Sequence, residues 1–266
     1  MNPVSPKTAT CLFRESVYYR KIEFLNGLRR HGFQVSDRHL RHPQPGDVLL
    51  LWNRPRPYEH VAAAYESAGA TVIVAENGYL GQPEGGGKYY ALALDRHNGA
   101  GRWYAGDRPR YEVKEDPWRK KGNHILVLPQ RGIGSPGVRM PSAWTQQTMK
   151  RLEQLTDRPI RLRPHPGHKK LDPAPDLVNC HAAVTWGSGA GIKAIRAGIP
   201  VFFDFEKWIG ASGAARLGAD LEACNMPDRT ELWRRITWAQ WSIDEISSGE
   251  AFDGLLNAED SHLLCA

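Results

Sequence analysis

Ala183-Val-Thr-Trp-Gly-Ser-Gly-Ala-Gly-Ile-Lys-Ala-Ile-Arg-Ala-Gly-Ile-Pro-Val-Phe-Phe203 decides how the chain folds. It reads as a short strand, a glycine-rich turn, a helix and a second strand. Gly187, Ser188, Gly189 and Gly191 fall where the helix begins. Small residues there let a ligand approach the backbone, and the free N–H groups of a helix start attract an anion. The same glycines also serve tight helix–strand packing. Lys193 lies one turn in and adds positive charge, while Gly198-Ile-Pro200 stops the helix and launches the next strand. A βαβ unit of this kind places a phosphate or nucleotide site at the carboxyl edge of a parallel sheet.

Outward from this unit the alternation continues. His124 to Pro129 is an apolar strand, Ser142 to Thr156 a helix, and Pro159 to Arg163 a strand. In the first half, residues 8–13 predict a strand and 16–31 an amphipathic helix with Val17, Phe24, Leu25 and Leu28 apolar. Asp47–Trp52 and Thr71–Ala75 are nearly continuous apolar runs, as in strands buried on both faces, with a helix over 58–67 between them. Tyr89–Leu94 is one more strand, and the alternation implies a parallel sheet with covering helices. Residues 98–123 break the pattern with Gly, Pro, Arg and Trp, and read as an active-site loop plus linker. The expected units are residues 1–118 and 119–266, the second ending in helices over 230–249 whose Trp233, Trp238 and Trp241 suit a buried face. A cleft between two such halves is the natural ligand site.

Composition narrows the classes. With 266 residues, 41% hydrophobic and 24% charged, the chain is long enough for one large or two ordinary domains. No apolar run approaches the roughly 18 residues of a membrane span, and Met1–Pro6 lacks the pattern of a secretory signal, so a cytoplasmic location, in a bacterium or a phage-infected host, is expected. Cys11, Cys180, Cys224 and Cys265 form no CxxC pair and read as free thiols. His97, His165, His168 and His181 show no metal-ligand spacing. The net charge of +6 favours polyanionic partners, and arginines and lysines crowd residues 14–41 and 102–121.

Three segments concentrate chemistry near the second sheet's carboxyl edge. Ile160-Arg-Leu-Arg-Pro-His-Pro166 ends a strand in a basic, proline-stiffened corner, where Arg163 can grip a diphosphate and His165 can donate to it. Leu128-Pro-Gln-Arg-Gly-Ile-Gly-Ser135 follows another strand; Gly132 lets its backbone curl around an anion, and Gln130, Arg131 and Ser135 supply donors. The third is the Gly187–Gly191 turn. In the first half, Glu76 ends a buried strand and is the first candidate for a general base, with Asp95 and His97 in a glycine-rich loop as the second. Glu76 can equally cap a following helix. Trp103, Trp118 and Trp144 can stack on a base or sugar; Asp204 and Glu206 are either ribose ligands or solvated.

These three segments together resemble the C-terminal domain of GT-B glycosyltransferases, nearest in kind to the capsule-polysaccharide and Kdo-transferase type. The likeness rests on the Arg-Pro-His-Pro strand end, the Ser-containing turn, the Ala-rich helix and the Gly-x-Pro-Val strand, over residues 124–204. The tail Trp233–Gly249 is similar to small phage-encoded relatives. The resemblance implies an α/β fold of two Rossmann-like domains facing across a cleft, a nucleotide-sugar co-substrate without further cofactor, and donor phosphates held by Arg163, His165, Ser188, Gly189 and Lys193. No general base is carried over by it. The absence of a DxD signature leaves no requirement for a metal. The favoured acceptor is a 5-hydroxymethylpyrimidine in double-stranded DNA, reached by base flipping; a capsule or lipopolysaccharide glycan and a non-catalytic nucleotide or nucleic-acid binder are the alternatives.

Overall fold

The computed structural model describes residues 7–81, 87–165, 167, 172–218, 220–224, 226–257 and 263–265; His168 and Pro166 of the sequence reading lie outside them. The architecture is α/β with two units, each on its own sheet. The first contains β1 (Thr8–Cys11), α1 (Lys21–Arg30), β2 (Gln34–Ser36), β3 (Val48–Trp52), α2 (Glu59–Ser67), β4 (Thr71–Asn77), β5 (Tyr90–Leu94) and β6 (Arg102–Tyr104). The second contains β7 (His124–Leu128), α3 (Trp144–Leu152), β8 (Ile160–Leu162), β9 (Cys180–Thr185), α4 (Gly189–Arg196), β10 (Val201–Phe203) and β11 (Ala215–Arg216). The chain ends in α5 (Thr230–Ala239), β12 (Gln240–Trp241), α6 (Ile243–Ser248), α7 (Glu250–Leu256) and β13 (Leu263–Cys265).

The second sheet is parallel throughout, in the order β11-β10-β9-β7-β8. Its central strands β7 and β9 are wholly buried, which is why they read as unbroken apolar runs. The first sheet runs β13-β6-β5-β4-β3-β1-β2, with β12 also on β5. It is parallel only from β2 to β4. The expectation of a parallel sheet fails at β5, which pairs antiparallel with β4. The described chain between them holds no helix, and parallel pairing needs a crossover of a dozen or more residues.

The C-terminal helices also depart from the expected division. The sequence pattern places them with the second unit, but β12 and β13 complete the first sheet and α6 packs on α1. The helix predicted over 16–31 starts only at Lys21, because Arg20 adopts a left-handed conformation with φ 55°. Residues 105–123, which hold no helix or strand, are stitched to both units: Arg119 N–H donates to Gly198 O at 2.7 Å, and Arg110 pairs with Glu245 at 2.7 Å. One continuous apolar cluster, holding Phe24, Leu92, Trp103, Ile192, Trp208 and Phe252, runs through both units.

The tryptophans proposed for stacking are structural. Trp103 is buried and donates to Arg235 O; Trp144 is buried and donates to Asp204 Oδ2 at 2.7 Å; Trp118 donates to Pro227 O beneath the Arg229 guanidinium. Cys11, Cys180 and Cys224 are free, buried thiols, and burial pushes the first two up to about 12. No helix among the described residues is long and apolar enough to cross a membrane.

Arg54 was not anticipated. Its guanidinium is only 1% exposed and meets Glu59 at 2.6 Å, Glu66, and the Asp95 carbonyl at 2.8 Å. Burial raises the Glu66 carboxyl, but Arg54 and Arg96 outweigh it and hold the group below its usual range. A depressed carboxylate stabilises the fold in full above its unfolded pKa of about 4.3, and that contribution disappears as pH falls through the folded value. Arg54→Met is expected to lower stability by about 3 kcal/mol in urea unfolding at pH 7. The deficit should shrink as the titration is repeated at progressively lower pH and Glu66 becomes protonated.

Candidate active site

A cavity of about 320 Å³ lies between the two units, at the carboxyl ends of β3 and β4 on one side and of β7, β8 and β9 on the other. It gathers Glu76 and His97 from the first unit with Gln130, Arg131, Arg163, His165, Ser188, Gly189 and Lys193 from the second. Asp95, Gly132, Ser135 and Gly187 of the sequence reading do not line it. The carboxylate of Asp95 is paired with Arg102 at 2.9 Å, so the fold does not set it beside Glu76 and His97. Ser135 is fully buried, and its carbonyl accepts the N–H groups of Val138 and Arg139.

The second-unit wall is cationic. α4 begins at Ser188, whose extended backbone and Oγ, accepting from Ala190 N–H at 3.1 Å, form an N-cap. The three glycines of the turn divide by role. A Cβ on Gly187 would meet Asn98, Phe205 and Trp208 at 3.1 Å, and one on Gly191 would meet Trp208 at 3.0 Å. Those two serve packing. A Cβ on Gly189 would meet no heavy atom within 4 Å, and its N–H finds no acceptor among the described residues. This amide opens on the cavity with the helix dipole behind it. Lys193 is exposed one turn on, and Arg131 is exposed at the opposite loop. Arg163 Nε donates to Asp176 at 2.6 Å. His165 Nδ1 accepts the Gly167 N–H at 3.0 Å, which leaves the ring proton on Nε2. Partial burial, then Arg131 and Arg163, lower its pKa, so an arriving anion would favour its protonation. Gln130 Nε2 donates to Gly187 O at 2.8 Å and ties the two loops together.

Among the described residues, the first-unit wall holds no lysine or arginine. Besides Glu76 it presents Asn53, Asn77, Gly78, Tyr79, His97 and Asn98. Glu76 Oε1 accepts the Asn98 N–H at 2.6 Å and the Tyr79 hydroxyl, while Oε2 takes no hydrogen bond among the described residues. A carboxylate so placed can accept a proton from a hydroxyl in the cavity. His97 is buried with Nδ1 unpartnered, and its ring lies 2.4 Å from where a Gly134 Cβ would stand. Desolvation outweighs the pull of Glu76 and lowers the His97 pKa, leaving a neutral ring. The loop carrying it reaches under the second unit: Gly99, at φ 89°, passes so close to Ile209 N that no side chain fits. Among the described residues no group of three or more His, Cys, Asp or Glu side chains is arranged to hold a metal.

Sequence reasoning missed Asn53, Tyr79 and Asn98. A signal existed for the last, since Asn98-Gly99 marks a left-handed turn, and Asn98 does adopt φ 59°. Tyr79, just past Asn77-Gly78, carries no such signal.

Neither a family model nor a curated protein sequence matches the chain. Among the solved structures similar to it are two from one protein. The β-Kdo 2,7-transferase of Thermosulfurimonas dismutans KpsC aligns with 92% of this chain and 98% of its own, at 14% identity and TM-score 0.49. The β-Kdo 2,4-transferase of the same protein aligns over 87% and 90%, again at 14% and 0.49. At that distance the likeness says nothing of chemistry, which rests on the residues of the cleft.

The division among the glycines is testable by unfolding. Gly189→Ala should leave stability within about 0.5 kcal/mol, whereas Gly191→Val should cost about 2 kcal/mol by overpacking Trp208. Equal losses would mean that Gly189 too is a packing residue.

Proposed function

We propose that the chain is a glycosyltransferase, moving a sugar from a nucleotide-sugar donor to a hydroxyl acceptor across this cavity. The observation that carries the reading is the division of charge: cations and an open helix start on one wall, and on the other a carboxylate with no ion pair among the described residues. The donor diphosphate takes the Gly189 N–H, Lys193 and Arg131, with Arg163 and the His165 Nε2–H beside them. Ser188 holds the helix start in shape, and Gln130 holds the facing loop. The acceptor hydroxyl lies against Glu76.

The step is a direct displacement. Glu76 Oε2 takes the hydroxyl proton as the acceptor oxygen bonds to the anomeric carbon. The bond from that carbon to the donor phosphate oxygen breaks, and its electron pair leaves with the nucleotide diphosphate. The cationic wall stabilises that developing charge. Displacement of this kind inverts the anomeric centre. A hexosyl donor without a bound metal is the simplest form of the scheme, because Lys193, Arg131 and the helix start already oppose the diphosphate.

The acceptor expected from sequence, 5-hydroxymethylpyrimidine in DNA, keeps the support of the exposed Arg14, Arg29, Arg30, Arg38 and Arg41. It loses that of Trp103, Trp118, Trp144, Arg110 and Arg119, which are engaged within the fold. The uncharged amides of Asn53, Asn77 and Asn98 around Glu76 suit a neutral polyhydroxyl acceptor better, which favours a glycan.

Incubation with UDP-, GDP- and CMP-sugars, and with hydroxymethylated duplex DNA or capsule-type oligosaccharides, followed by mass spectrometry, should detect one glycosylated product, undiminished by EDTA. Glu76→Gln should reduce kcat by roughly 10²- to 10⁴-fold. Lys193→Ala should weaken binding of the nucleotide diphosphate about 10-fold or more, the effect of losing a charged hydrogen bond. Nucleotide binding with no transfer or donor hydrolysis on any panel member would leave a non-catalytic binder and overturn the proposal.

A further inference from the structure

We infer that Tyr79 is a positioning residue for the proposed base, fixing Glu76 through Oε1 so that Oε2 alone faces the acceptor, and that Gln240 of the C-terminal segment holds Tyr79 in place. The inference rests on the reading of Glu76 as the base.

Glu76 is held at one oxygen only. Oε1 accepts two bonds, from the Tyr79 hydroxyl and the Asn98 N–H, which come from different segments. With both made, the carboxylate has no free rotation, and the proton can be accepted only at Oε2. Tyr79 is buried, and burial followed by the charge of Glu76 keeps its hydroxyl protonated, so it stays a donor throughout the pH range of activity. The hydroxyl sits where it does because the backbone at Tyr79 is clamped. Gln240 Oε1 accepts the N–H groups of Tyr79 and Leu80 at 2.8 and 3.0 Å. The Gln240 side chain is fully buried, and its Nε2 donates to the Tyr111 hydroxyl at 2.5 Å. Register makes the arrangement rigid: Glu76 on β4 pairs with Ala91 on β5, and Ala91 pairs with Gln240 on β12. Base and clamp thus stand in one row of three strands. A tail joined to the second unit in sequence therefore sets the orientation of a carboxylate in the first.

Tyr79→Phe deletes one oxygen and keeps the ring. It is expected to lower kcat about 10- to 100-fold, the cost of letting a reacting group drift by about an ångström, with the KM for donor and for acceptor within twofold of wild type. A merely structural role would not produce that split. The decisive comparison is a double-mutant cycle. In the Glu76→Gln background, Tyr79→Phe should cost no further activity, because there is no base left to position. An equal loss in both backgrounds, or wild-type kcat for Tyr79→Phe while Glu76→Gln is impaired, overturns the inference. Full kcat for Glu76→Gln would instead sink the reading of Glu76 as the base, so the two failures are distinguishable. Where Tyr79→Phe does not fold, tyrosine labelled with 13C at Cζ reads the same bond. The Tyr79 resonance should move between the wild-type and Glu76→Gln proteins, and coincidence of the two would overturn the inference.

Discussion

The structure turns on a single buried guanidinium. Arg54 lies at the end of β3, in a left-handed conformation, and its side chain joins the start of α2 through Glu59, the end of α2 through Glu66 and the end of β5 through the Asp95 carbonyl. The last contact matters most. The loop after β5 places Asp95, Asn98 and Gly99 at positive φ, which aspartate and asparagine adopt more readily than other side chains but at a cost that surrounding contacts offset. Arg54 grips one end of that loop, and Glu76 accepts the Asn98 N–H further along. Held so, the loop carries His97 to the cavity and slides Gly99 beneath Ile209. Both the shape of the first-unit wall and its contact with the second unit follow.

What could be read in the sequence was what local physics decides. β3, β4, β7 and β9 are apolar without alternation because both faces are buried. α4 announces itself by the Ser188 cap and by Gly198, whose φ of 69° lets the Pro117 carbonyl approach where a Cβ would stand. Gln130, Arg131, Arg163, His165 and the helix start could be gathered in advance because each follows a strand of one parallel sheet, and such strand ends share an edge. The direction of β5 was not local, and neither was the return of the C-terminal helices to the first unit. Nor does residue type separate a tryptophan that stacks on a ligand from one that fills a core. Trp144 is settled by Asp204 and Trp118 by Arg229, both distant in sequence. The same holds for Arg110, absorbed by Glu245, Trp241 and two carbonyls.

Tyr79, Arg54 and Gln240 were invisible for a different reason. Each is an ordinary core or strand-end residue by pattern, and each gains meaning only from the partners the fold brings to it. The sequence spans are 3 residues for Tyr79 to Glu76, 41 for Arg54 to Asp95 and 161 for Gln240 to Tyr79. The two long spans are set by the order in which the strands pair, and the short one by a turn whose direction residue type does not reveal.

Keeping the two walls apart has a chemical consequence that the rest of the molecule makes plain. Several aspartates here pair with arginines: Asp95 with Arg102, Asp176 with Arg163, Asp204 with Arg151. A carboxylate in such a pair is a poor base, because the neighbouring cation favours its ionised form and must be displaced before the oxygen can take a proton. Glu76 has no ion-pair partner among the described residues; its two bonds come from a phenol and a backbone amide, which fix its geometry without a formal charge. The cations stand across the cavity. A nucleotide diphosphate arriving there would be neutralised by Lys193, Arg131 and the α4 start without those groups first having to release Glu76. An electrostatic trap for a leaving group and an unpaired base are incompatible at contact distance. On the proposed reading, the cleft between two sheets gives each its own wall.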